Sequence, residues 1–136
     1  MNFIDAFIGQ KKVLQYSVSP ADLAGYIQLT GDTNPLHRDV AFAQKKGFKS
    51  AVVHGFFIGG IISRFLGVDF IGENCIIHSV SLQFSKPCYC NEKIEIEGAI
   101  VQKTEFGKTL TIVLEVRKYV NSEVLCRGEV QVGILE

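Results

Sequence analysis

An α+β fold, with one largely antiparallel sheet wrapped around a buried helix, is predicted by three features of this 136-residue chain. Apolar residues recur at helical spacing in the first half. They then fill nearly every position from about His54 to Leu66, and after Gly72 the apolar period changes to two. A helix that is apolar all round must be covered by other elements, and strands with one apolar face apiece can supply the cover.

Taken in order, the chain supports this arrangement element by element. An early strand is expected near Val13 to Val18. Ser19-Pro20-Ala21-Asp22 marks a helix start: Ser19 can cap, Pro20 suits the first helical position and Asp22 favours the positive end of the dipole. Leu23, Tyr26 and Ile27 then share one face, and this short helix leads into Gly31-Asp32. Asp39 can cap a second short helix carrying Phe42, with Gly47 placed to end it. The third and longest helix is expected over about His54 to Leu66, with Gly67 as its stop. Gly59-Gly60 in its middle costs about 1 kcal/mol each relative to Ala. Such a pair points to a close approach, either of a packed neighbour or of a substrate.

Four strands follow. Val80, Leu82 and Phe84 alternate with polar residues. So do Ile94 and Ile96. Leu110, Ile112, Leu114 and Val116 alternate with Thr109, Thr111, Val113 and Glu115, and Val124, Cys126, Val130 and Val132 with Glu123, Leu125, Arg127, Glu129 and Gln131. Pro87 with Asn91, Glu105-Phe106-Gly107 and Asn121-Ser122 supply the turns. No internal repeat or low-complexity linker interrupts the order, so one domain over 1–136 is expected.

Composition narrows the function. Fourteen basic residues balance fourteen acidic ones, which leaves no basic surplus for nucleic acid. The longest apolar stretch, Ala51 to Gly72, is interrupted by His54, Ser63, Arg64 and Asp69, which argues against a membrane span. The first residues carry no signal-peptide pattern, and the cytoplasm is the default compartment. Cys75, Cys88, Cys90 and Cys126 form no C-x-x-C pair and no zinc-finger spacing, and are read as reduced, partly buried thiols.

Chemistry concentrates in Thr30-Gly31-Asp32-Thr33-Asn34-Pro35-Leu36-His37. Asn34-Pro35 bends the backbone and Gly31 permits a tight turn before Asp32, so the acid and the histidine stand at two ends of one loop. Alone, Asp32 reads as a turn residue and His37 as a loop histidine. His54, in Val53-His54-Gly55, is expected to be structural, hydrogen-bonding near the helix start. His78 reads as incidental to a strand.

Tyr26-x-x-Leu29-Thr30-Gly31-Asp32-x-Asn34-Pro35-Leu36-His37, with Ala43 beyond it, resembles the hydratase-2 motif of the MaoC-like (R)-specific enoyl-CoA hydratases. Val53-His54-Gly55, the apolar helix behind it and Ser63 within that helix fit the same resemblance. It implies a hotdog fold, a homodimer, and reversible addition of water to a trans-2-enoyl thioester. By the same resemblance, Asp32 and His37 hold and activate the water and Gly55 N–H is the oxyanion donor. Asn34, Ser63 and His54 support the geometry. The chemistry suits these residue types: imidazole and carboxylate relay protons near neutral pH, and a helix N-terminus stabilises an enolate oxygen.

No metal or redox cofactor is expected; CoA or acyl carrier protein (ACP) carries the substrate. Lys45, Lys46 and Lys49 are candidates to meet CoA phosphates or to form a solvated face. The same chemistry run in reverse is a 3-hydroxyacyl-ACP dehydratase, the nearest rival. A non-catalytic acyl-thioester-binding subunit is a third reading, against which the intact Asp32/His37 pair argues.

Overall fold

The structure, a computed structural model, describes residues 1–136. Five strands form one antiparallel sheet: β1 (Lys11–Ser17), β2 (Cys75–Phe84), β3 (Lys93–Thr104), β4 (Thr109–Lys118) and β5 (Val124–Ile134), in the order β1-β3-β4-β5-β2. Three α-helices precede the last four strands: α1 (Pro20–Thr30), α2 (Val40–Lys45) and α3 (Gly55–Arg64). No helix is long and apolar enough to cross a membrane.

In β3, β4 and β5 the alternation read from the sequence becomes the inner face of the sheet, whereas Val80 and Phe84 of β2 stay 50% and 52% exposed. Ile94, Ile96 and Ile100 of β3, Leu110, Ile112, Leu114 and Val116 of β4, and Cys126, Val130 and Val132 of β5 are buried against Ile58, Ile61, Ile62, Phe65 and Leu66. Burying each such side chain contributes about 1.5–3 kcal/mol. The central helix comes close enough that a Cβ at Gly98 would lie 2.8 Å from the Phe65 ring. Strict alternation fails at Leu125, which is buried beside Cys126 because the β4–β5 register shifts between Val116 and Arg117.

Two expectations for the third helix need correction. Gly67 does not stop it. The chain winds on as a π-helix over Phe65–Phe70, and the turn ends at Gly72, whose φ is +89°. An apolar run does not distinguish one helical winding from the other, so periodicity gave no warning. Nor is the helix covered on every side: Phe56 is 88% exposed and Val68 71%. Gly59 and Gly60 lie toward this open side. A Cβ at Gly59 would meet only Leu82 at 3.8 Å, an ordinary contact, and one at Gly60 would meet nothing, so neither close approach is required within the chain.

Candidate active site

The first half of the site is a loop held at both ends. Ser19 and Asp22 form a reciprocal capping box that starts α1. Gly31, in the left-handed region at φ 71°, ends it, and its N–H donates to Ile27 O at 2.8 Å. The Thr30 hydroxyl donates back to Tyr26 O at 2.8 Å and accepts from Asp32 N–H at 3.2 Å. Beyond Asp32, Asn34 caps a single 3₁₀ turn, Pro35–His37, by accepting from Leu36 N–H at 3.0 Å. Asn34 N–H in turn donates to Asp32 Oδ1 at 3.4 Å. Asn34 therefore couples the acid to the turn that carries the histidine.

The second half is the segment entering α3. Val52 N–H donates to Leu36 O at 3.0 Å, and His37 Nδ1 meets Val52 O at 2.6 Å. A carbonyl only accepts, so Nδ1 carries the proton and Nε2 keeps a lone pair in the neutral ring. Val53 N–H donates to Cys88 O at 2.9 Å and ties the same segment to the loop after β2. Gly55 is the first residue of α3, so its N–H has no acceptor within the helix. His54, at the cap position, makes no side-chain capping bond, which leaves that helix end open.

His54 forms the floor. It is buried, stacks on His37 with ring centroids 3.7 Å apart, and has Tyr26 tilted against it at 4.6 Å. Its Nε2 faces Asp32 O at 3.3 Å and Asp32 Oδ2 at 3.7 Å. Burial pushes its pKa down. The Asp32 carbonyl opposes that shift, the nearby His37 adds to it, and the Asp32 carboxylate opposes it weakly. His54 Nδ1 is buried without a partner, a cost of about 1–3 kcal/mol carried at the site.

Nitrogen and oxygen atoms of Asp32, His37 and His54 all lie within 4.8 Å of one another. A three-donor cluster of this size can admit a cation. In the tautomer that donates to the Asp32 carbonyl, however, His54 offers the cluster no lone pair, leaving two donors. Two hydrogen bonds of about 2.8 Å meeting at a bent water span about 4.5–5 Å, so the 4.8 Å limit admits a water between two of these groups.

Two cavities meet here. One, about 360 Å³, is lined by Asp32, His37, His54, Gly55, Phe56, Val80, Leu82 and Phe84. The other, about 370 Å³, shares His37, Gly55 and Phe84 with the first and runs between Val52, Ile58, Cys88, Val116 and Leu125. Cys88 lines the second, and burial pushes its thiol up to about 12, so it stays protonated. All four cysteines are free.

The structure thus brings together Asp32, His37, His54 and Gly55, with Asn34 in support. It does not bring Ser63 to them. Ser63 lines neither cavity and lies on the exposed side of α3. Eight residues of helix past Gly55 place it about 12 Å along the axis. Lys46 lies over the Phe42 ring and Lys49 lies 3.9 Å from Glu92. Lys45, Lys46 and Lys49 line neither of the two cavities. Val52 O and Phe84 were not singled out as site residues from the sequence. No local signal could have found them, because both act through long-range contacts.

A family model described as a MaoC-like domain matches residues 6–123. A 3-hydroxybutyryl-CoA dehydratase from Methylorubrum extorquens is 29% identical over 100 residues, which span 74% of this chain and 64% of that protein. An (R)-specific enoyl-CoA hydratase from Aeromonas caviae is 32% identical over 106 residues, 76% of this chain and 79% of that one. The solved structure of an (R)-hydratase from A. caviae involved in PHA biosynthesis superposes with a TM-score of 0.89 at 27% identity. That superposition covers 96% of this chain and 98% of the other. The helix and five-stranded antiparallel sheet are the hotdog arrangement.

Proposed function

The chain belongs to the MaoC-like domain family, and on that premise we propose that it is a hydro-lyase, an (R)-specific hydratase of trans-2-enoyl-CoA working reversibly. The observation that carries this reading is the convergence of Asp32, His37 and His54, with one polar atom of each within 4.8 Å of the others, beside the open N-terminus of α3.

The thioester oxygen accepts from Gly55 N–H, where the helix dipole favours the negative charge that develops as the enolate forms. Water sits between the Asp32 carboxylate and His37 Nε2. Its oxygen bonds to C3 of the enoyl chain and its proton passes to the pair, which returns a proton to C2. The two groups act as one proton relay, and neither is assigned a separate acid or base role. Neutral His54 holds the His37 ring flat from beneath and places no positive charge beside it.

No metal or redox cofactor takes part in the proposed reaction. CoA is the proposed carrier: it appears in the names of the two relatives above, which match 74% and 76% of this chain, whereas 3-hydroxyacyl-ACP dehydratases, at 34% and 36% identity, match only 56%. A second copy of the chain is proposed to complete the chamber. β2 is an edge strand, paired only with β5, and its Val80 and Phe84 stand half-exposed beside Phe56 around the dyad. An unpaired edge flanked by apolar side chains invites a partner.

The test is hydration of crotonyl-CoA and crotonyl-ACP, followed by loss of enoyl-thioester absorbance, with chiral analysis of the product. Formation of (R)-3-hydroxybutyryl-CoA supports the reading. Turnover of the ACP thioester alone would move the assignment to the dehydratase of fatty-acid synthesis.

A further inference from the structure

Phe84 stands at the meeting point of the two cavities. It is the last residue of β2 and lines both of them, together with His37 and Gly55. Its ring lies over Gly55, where an added Cβ would sit 3.1 Å from two ring carbons. Phe84 lies outside the buried core cluster of its own chain, so a change of its rotamer leaves that core undisturbed.

We propose that Phe84 is a gate between the two cavities and that its side chain sets the acyl-chain length the site accepts. The proposal rests on the thioester reading above. The thioester oxygen must approach Gly55 and C3 must approach the dyad, so the reacting atoms occupy the chamber that holds Asp32. A short chain ends there. A longer chain has to pass the Phe84 ring into the second cavity, whose walls, Val52, Ile58, Cys88, Val116, Leu125 and Cys126, offer alkyl and neutral thiol surface. Cys126, like Cys88, is held above the ordinary thiol range by burial, so no thiolate faces the chain.

The experiment compares dissociation constants for butyryl-CoA and octanoyl-CoA, which lack the reacting double bond, in the parent, Phe84→Ala and Phe84→Trp. Each methylene newly buried strengthens binding by about fourfold, and octanoyl carries several more than butyryl. We expect the preference for octanoyl over butyryl to rise at least about tenfold in Phe84→Ala and to fall in Phe84→Trp. A preference that stays within about twofold of the parent in both variants would overturn the gate. A parent that binds both thioesters but hydrates no enoyl thioester overturns the hydratase reading alone, and the binding preference still decides the gate. A parent that binds neither thioester overturns both.

Discussion

His37 and His54 stack with ring centroids 3.7 Å apart and planes 23° from parallel. Two imidazolium rings at this distance repel, so the stack favours one neutral ring. Burial pushes the His54 pKa down and selects it for that part.

The depressed pKa has a consequence for stability. Below about pH 6.5 the unfolded chain protonates this histidine while the folded chain resists. The unfolded state then binds more protons, so stability falls as pH falls through that window. His54→Phe keeps the stack and removes the titration. Urea unfolding at pH 7.5 and pH 5.5 should show the parent losing more stability than the variant. Equal losses would mean that His54 titrates normally.

Asn34 links the acid to the histidine-bearing turn through bonds from Leu36 N–H and to Asp32 Oδ1. Asn34→Ala removes the cap, a loss of about 0.5–2 kcal/mol. It should also lower kcat by about tenfold, because misplacing a proton relay slows it. Asn34→Asp keeps the capping oxygen and should recover most of the stability. Thermal melts and steady-state rates on the two variants check both statements.

Gly55 is placed to admit the thioester oxygen. In Gly55→Ala the new methyl presses on the Phe84 ring, which lies outside the core cluster of its own chain and can tilt away. Stability should therefore change by less than about 1 kcal/mol, while kcat falls by about tenfold or more as the oxyanion contact lengthens. A large loss of Tm with normal activity in the surviving fraction would show Gly55 to be a packing residue.

If water activation belongs to the Asp32–His37 pair alone, chelation has nothing to remove. Dialysis against EDTA should leave the hydration rate within about twofold of the untreated protein, whereas loss of the metal from a metal-activated water removes the nucleophile. A rate lost on dialysis and restored by added zinc would place a cation in the Asp32, His37 and His54 cluster.

Much of this was legible in the sequence, for physical reasons. The Asn34-Pro35 bend and Gly31 place residues 32 and 37 at the two ends of one loop, and the period-two runs assign each strand a face. Ser19 and Asp22 announced α1 through local chemistry alone. Contacts across the chain were not legible. Phe84 on Gly55, and the Val52 carbonyl that sets the His37 tautomer, depend on tertiary approach. The winding of Phe65–Phe70 was hidden because an all-apolar run suits an α-turn and a π-turn alike. The exposed face of α3 contradicted its composition, since apolar residues at Phe56 and Val68 do not reveal what covers them.

The most direct measurement is the rate of crotonyl-CoA hydration by the parent, Asp32→Asn and His37→Ala, with circular dichroism to confirm folding. We expect each substitution to lower the rate by about 10²–10⁴ with the fold retained, because each removes one partner of the proton relay. Rates close to the parent in both folded variants would contradict water activation by Asp32 and His37.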